Sequence, residues 1–203
     1  MSFYNDQVLP RLIDVALGKS FEQIRARVAS ELSGEVLEVG FGSGRNVPHY
    51  PPAVGRVRAV EPASVGRKLS YRRVAASPVP VEFIGLDGRD LPLPAESVDH
   101  VLMTWTLCTI PDVDQALREV RRVLRPSGRL HFVEHGRSPD PKVANWQDRI
   151  TPAWAKVAGG CQLNRSIPDL VTASGLTMTR VETYPMRRPE VLGFLFEGVA
   201  TKV

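Results

Sequence analysis

At 203 residues and 22.4 kDa, with 43% hydrophobic and 24% charged residues, the chain is sized for one well-filled soluble domain. The net charge of +4 and the pI near 9.3 come from basic residues scattered along the chain, apart from pairs such as Arg67-Lys68 and Arg72-Arg73; they read as a solvated helix face, and no nucleic-acid partner is indicated. Two widely separated cysteines, Cys108 and Cys161, argue against a disulfide framework and fit a reducing compartment. Residues 1–6 show neither the basic start nor the apolar core of a signal peptide. The most apolar stretch, 101–110, is about half of the roughly 20 residues a membrane span needs. A cytoplasmic protein without a membrane span is expected, with peripheral lipid contact and oligomeric state left open.

Residues 6–17 carry Val8, Leu9, Leu12, Ile13, Val15 and Ala16 at the spacing of a short amphipathic helix. Ser20 and Gln23 form a capping box that predicts a second helix running to about Leu32. Together these make an N-terminal helical extension or lid over residues 1–33, ahead of a main domain at 34–203. From there the rhythm becomes strand, turn, helix. Short apolar strands are expected at 35–39, 56–60, 79–84, 98–104 and 129–134. The clearest helix is 112–124, with Asp112 as cap, Gln115 completing the box, and Leu117, Val120, Val123 and Leu124 as its buried stripe. Leu124-Arg125-Pro126-Ser127-Gly128 stops that helix and turns into the next strand. Such alternation specifies an α/β fold with a parallel sheet. The C-terminus departs from it: Leu176–Tyr184 and Val191–Lys202 read as strands with no helix between them, an antiparallel pair.

In an open parallel sheet, ligands bind beyond the carboxyl ends of the strands. The first strand ends in Glu38 and a loop with glycines at alternate positions, Gly40, Gly42 and Gly44, where another molecule can approach the backbone. The second ends in Glu61, about 20 residues further on, where an acidic residue can hold both hydroxyls of a ribose. The third ends in Asp87-Gly88, suited to accept from the exocyclic amine of adenine; the fourth ends in Thr104-Trp105, the fifth in Glu134-His135. Together these describe an adenosine pocket. A dinucleotide fits less well: the fingerprint asks for a glycine three residues after the second, and Arg45 stands there. Glu38 would also face a pyrophosphate, whereas it suits a ligand carrying a cation, as S-adenosylmethionine does.

Glu38-Val39-Gly40-Phe41-Gly42-Ser43-Gly44, Glu61-Pro62, Asp87-Gly88-Arg89-Asp90-Leu91-Pro92, Ser97-Val98-Asp99 and Leu124–Gly128 resemble, in order, the motifs of class I S-adenosylmethionine-dependent methyltransferases, over residues 35–135. Leu107-Cys108-Thr109-Ile110, Val133-Glu134-His135, Asn145-Trp146, Pro152-Ala153-Trp154 and Gly160–Arg165 further resemble the methyltransferase-like 7 group, whose members methylate thiols. That group is in turn similar to quinone-biosynthesis and phosphatidylethanolamine methyltransferases. Phe41 stands where the family has a small residue or cysteine, and Glu61 where aspartate is usual. The animal members carry an N-terminal membrane anchor; a soluble homologue is the expectation for this sequence.

The resemblance implies a Rossmann-like, mostly parallel seven-stranded sheet with helices on both faces, and S-adenosyl-L-methionine as cofactor. It implies that Gly40, Gly42 and Gly44 line the methionine moiety, Glu38 supports the ammonium, Glu61 with Pro62 borders the ribose, and Asp87 with the Gly88 backbone recognises adenine. Thr104 and Trp105 would flank the sulfonium, with a core role for Trp105 as the alternative, and Tyr4 would close over the cofactor. His135 is the candidate general base, set against a histidine that merely satisfies a loop carbonyl. Cys108 and Cys161 read as packing residues without an activating partner, and with His135 they show no paired metal-ligand spacing, so no metal is expected. Trp146 and Trp154 in the 137–165 segment, with Cys161 and Asn164, point to an apolar acceptor site. The expected reaction is methyl transfer to a small apolar acceptor, a thiol first. The alternatives are N- or C-methylation of a phospholipid headgroup or quinone precursor, a non-catalytic cofactor-binding module, and a nicotinamide-dependent oxidoreductase.

Overall fold

The computed structural model describes residues 7–185 and 194–203, so Tyr4 and the first residues of the expected last strand lie outside it. Val36, Leu37 and Val39 form a strand buried on both faces, β1 (Gly34–Val39), and the remaining strands add around it. They are β2 (Val54–Val60), β3 (Val81–Gly85), β4 (Val98–Thr104), β5 (Leu124–His135), β6 (Thr177–Pro185) and β7 (Phe194–Thr201). The seven make one sheet in the order β3-β2-β1-β4-β5-β7-β6. The first five run parallel, and β7 lies antiparallel between β5 and β6. The chain builds outward from β1 to β3 and then returns to β4 on the other side. The crevice between the carboxyl ends of β1 and β4 is therefore the topological switch point.

Among the described residues six α-helices accompany the sheet: α1 (Leu9–Ala16), α2 (Glu22–Ala29), α3 (Ser64–Ala75), α4 (Val113–Val123), α5 (Pro141–Val157) and α6 (Ile167–Ala173). Alternate strand residues feed two cores. Leu37, Val101 and Met103 pack under Leu117 and Val120 of α4 and Val171 of α6 on one face. Val36, Val57 and Leu102 pack under Val28 and Ala29 of α2 on the other. The period of two in β1 and β4 is what puts helices on both faces. No helix among the described residues is long and apolar enough to cross a membrane.

Local differences from the sequence reading have tertiary causes. The Ser20–Gln23 box does not form. Residues Lys19–Phe21 make a tight 3-10 turn and Phe21, without a side-chain cap bond, stands at the start of α2. The Phe21 ring is drawn edge-on against Trp105, centroids 5.1 Å apart, and that packing outweighs the cap. The Asp112 box is half made: its carboxylate accepts from Gln115 N at 3.2 Å, while the Gln115 amide donates instead to Arg89 O. Strand β5 begins at Leu124, which pairs with Val98, and an irregularity before the Arg129–His100 pair absorbs the predicted turn.

Candidate active site

The glycine loop sits at the switch point and opens with Gly40, whose amide donates to Val60 O at 2.9 Å. Its φ is +78°, and a Cβ built there would stand 2.0 Å from Thr106 Oγ1, so strand β4's exit loop and the glycine loop can touch only through a bare Cα. Gly42, at φ +56°, has open space where a Cβ would go, its nearest neighbour being Gly40 O at 4.0 Å. That face of the loop is open. Gly44 closes the loop against Ser70 and Phe41.

Beneath the loop lies a buried polar net. The Glu38 carboxylate accepts from Asn46 Nδ2 at 2.9 Å and from the Tyr50 hydroxyl, and burial pushes its pKa up to about 7. Asn46 also reaches Thr104 Oγ1 at 3.0 Å. Arg25 of α2 enters the net from the N-terminal segment, donating to Asn46 Oδ1 at 2.8 Å and lying over the Trp105 ring at 4.6 Å. Burial lowers its pKa to about 10, and its Nε has no hydrogen-bond partner among the described residues. Asp14 of α1 accepts from Arg45 Nε at 2.7 Å and from the Ser43 hydroxyl, tying the same segment to the loop.

Glu61 is fixed at the tip of β2: its two oxygens accept from Gly42 N at 2.6 Å and Ala63 N at 2.7 Å, and burial raises its pKa. Pro62 is exposed beside it. Asp87 is half-exposed and paired with its neighbour Arg89, whose hydrogen bonds hold its carboxyl below the usual range. Gly88 is buried against Val39. Glu38, Glu61, Thr104 and Trp105 thus gather with the glycines around one crevice, whereas Asp87 is held in a surface pair with Arg89.

Past Thr104 the edge changes character. Trp105 is buried at φ +54°, a strained conformation for a bulky residue, and its indole N–H has no partner among the described residues. Glu134, fully buried, accepts from the amides of Thr106, Leu107 and Cys108 at 2.8, 2.9 and 3.1 Å, and burial raises its pKa to about 7. It braces the loop and does not orient His135. The separation of Cys108, His135 and Cys161 along the chain concealed that the fold joins them. His135 Nδ1 lies 3.9 Å from Cys108 Sγ and 3.7 Å from Cys161 Sγ, and the three ligand atoms all lie within 4.8 Å of one another. The fold thus sets His135 beside both thiols, a neighbour that spacing along the chain did not reveal. Hydrogen bonding from Cys108 and His135 lowers the Cys161 pKa while that of Cys108 is raised, so one thiolate is favoured over two.

The two tryptophans of the 137–165 segment part company. Trp154 packs on Cys108, Cys161 and Leu163, but Trp146 is 58% exposed with Arg149 over its ring. Asn164 turns outward to Asp148 at 2.9 Å. Sequence reasoning missed Arg25, Asn46 and Tyr50. The last two sit just beyond the glycine loop, a positional hint; an arginine in an amphipathic helix gave none.

The sequence family described as a methyltransferase domain matches residues 37–132. Human thiol S-methyltransferase TMT1B is 34% identical over 158 residues, 71% of this chain and 61% of the relative. Human thiol S-methyltransferase TMT1A is 31% identical over 170 residues, covering 78% and 69%. The chain thus spans roughly two thirds of these relatives' length. Phosphatidylethanolamine N-methyltransferase of Cereibacter sphaeroides is 30% identical over 136 residues, 61% of this chain and 63% of the relative. Among solved structures, an S-adenosylmethionine-dependent methyltransferase from Aquifex aeolicus superposes with a TM-score of 0.68 at 19% identity, covering 96% of this chain and 98% of that one.

Proposed function

The chain belongs to the S-adenosylmethionine-dependent methyltransferase family, and from that premise we propose that it methylates a small, apolar thiol. The observation that supports a thiol is the likeness to the human thiol S-methyltransferases, which runs over 158 and 170 residues and so beyond the matched domain. The residues present suit the cofactor: an open face at Gly42, a fixed carboxylate at Glu61, and buried donors on Arg25 and Trp105 without partners among the described residues. When bound, S-adenosylmethionine supplies a methyl group already activated on a sulfonium, so the protein's work is to bind, align and exclude water.

In this reading Glu61 holds the ribose with the lone pairs its two amide bonds leave free. Arg25 takes the cofactor's carboxylate through its idle Nε–H. Glu38, through Asn46 and Tyr50, keeps the ammonium end of the crevice negative. Asp87 releases Arg89 to accept from adenine beside Gly88. Thr104 and Trp105 border the sulfonium, and the N-terminal segment, anchored by Asp14 and Arg25, acts as the lid. His135, half-buried between the two thiols, takes the acceptor's proton.

A second reading, methylation of a phospholipid headgroup, is favoured by the Cereibacter relative. Formation of S-adenosylhomocysteine with a panel of small thiols, phosphatidylethanolamine and a quinol precursor separates the two. Turnover with thiols alone is expected; turnover with the lipid or quinol alone overturns the thiol assignment and keeps the family.

A further inference from the structure

We propose that Cys108, His135 and Cys161 bind a zinc ion whose fourth position receives the sulfur of the acceptor thiol. The proposal rests on the thiol reading above for its substrate, while its metal site stands on geometry alone. With Zn–S bonds of about 2.3 Å and Zn–N bonds of about 2.0–2.1 Å, a tetrahedral ion separates sulfur from nitrogen ligands by about 3.6 Å. The two sulfur–nitrogen distances here are 3.9 and 3.7 Å. Two thiolates and an imidazole are the donors zinc prefers, and three protein ligands with one open position is the pattern of a reactive zinc, not a structural one.

The ligands are held in place by the fold before any ion arrives. Glu134 pins the Cys108 amide and the two before it, and Gln162 N donates to Cys108 O at 2.7 Å, which sets the Cys161 turn directly against the Cys108 loop. Gly160, at φ +90°, makes that turn, and Arg165 reaches across to the carbonyls of Leu107 and Ile110. Such bracing is what a metal site needs to keep its geometry. Cys108 and Cys161 are buried while His135 is only half-buried. The loop that carries Cys108 begins at Thr104 and Trp105, on the border of the cofactor crevice.

The chemistry balances without a base on the chain. An incoming thiol binds the ion and releases its proton to solvent. A lone pair of the bound sulfur then forms the bond to the methyl carbon, and the carbon–sulfonium bond breaks with its pair going to the cofactor's sulfur. The products are a thioether, S-adenosylhomocysteine and one proton. The neutral thioether is a weak ligand and leaves. With the ion bound His135 is a ligand; in the metal-free protein it is the group placed to take the acceptor's proton.

Chelator-stripped full-length protein titrated with zinc against a chromogenic competitor, and with cobalt followed by its visible absorption, tests this. Expected are one ion per chain, affinity weakened at least about 100-fold in Cys108→Ser and Cys161→Ser, and binding retained in Cys161→His, which keeps a donor. Thermal melts of each variant in the absence of metal separate loss of a ligand from loss of fold. A small thiol should shift the cobalt bands, and its S-methylation should fall on stripping and return with zinc. Equal zinc uptake by wild type and both serine variants overturns the metal site; if stripped protein still methylates thiols fully, the thiol reading survives alone. Cobalt bands indifferent to the thiol overturn the open fourth position.

Discussion

The two halves of the sheet's carboxyl edge are built from different chemistry. On the β1–β2 side, carboxylates and amides interlock: Glu61 joins Gly42 to Ala63, and Glu38 joins Asn46 to Tyr50. On the β4–β5 side, two thiols and an imidazole meet beneath an indole, braced by Glu134. The first half suits a charged, polar ligand that must be held in one pose. The second suits a soft nucleophile. The division between them falls at Trp105, whose strained backbone turns the chain from one half to the other.

Glycine substitutions should strain the first half most. In Gly40→Ala the new methyl meets Thr106 Oγ1, which donates to Val39 O at 3.1 Å, and adopts a left-handed φ. Left-handed strain of roughly 1–2 kcal/mol and overpacking of similar size predict a loss of about 3 kcal/mol by urea unfolding. Gly42→Ala meets no clash, so only about 1 kcal/mol of stability should go, yet cofactor affinity should collapse because the methyl occupies the open face. Equal stability losses in the two would refute the division between a packing glycine and a ligand-facing one.

For the second half, His135→Ala should lower turnover about 10²-fold while leaving cofactor affinity within about twofold. Near-normal turnover would show that neither a base nor a ligand is needed at that position. Glu61→Ala tests the opposite corner. It should weaken cofactor binding by about 1.5–3 kcal/mol, read by calorimetry, with little change in turnover at saturation. Should His135→Ala act on affinity and Glu61→Ala on turnover, the comparison is inverted.

The same contrast explains what was legible in the sequence. The carboxylate half is written in contiguous motifs: Gly40, Gly42 and Gly44 fall within one turn, and Glu61 ends the next strand, so spacing alone brings them together. The strands were legible for the same reason, since burial on both faces leaves continuous apolar runs. The sulfur half is dispersed over positions 108, 135 and 161 and is assembled only when the turn after α5 docks on the Cys108 loop through Gln162 N; no local spacing encodes it. Arg25 was hidden similarly, because an arginine on a helix reads as surface until α2 is docked and the residue proves 5% exposed. Trp146 shows the converse error, an aromatic that reads as pocket but lies on the outer face of α5.

Acid titration sharpens the comparison from the opposite edge of the sheet, where neither half reaches. His131 is buried in β5, its Nε2 2.9 Å from His100 Nδ1, and burial lowers its pKa to about 3. Unfolded, the same imidazole binds a proton below about pH 6.5, so between these values the unfolded chain holds more protons than the native one. The stability contributed by neutral His131 is complete above about pH 6.5 and is lost as pH falls toward 3, about 2 kcal/mol going between pH 7.5 and 5. Glu38 and Glu134 act with the opposite sign: their pKa values near 7 mean that the native state keeps protons the unfolded state has released, so stability falls as pH rises from the usual carboxylate range to about 7. The wild-type curve mixes both. Subtracting the pH dependence of His131→Gln from that of the wild type, each from urea midpoints, isolates the histidine, and the remaining slope carries Glu38 and Glu134 together with the other shifted groups, Glu61 and His100 among them. Addition of cofactor should then flatten the Glu38 part alone, since a bound cation favours its ionised form, and leave the Glu134 part in place. A cofactor that flattened neither would place its ammonium away from Glu38.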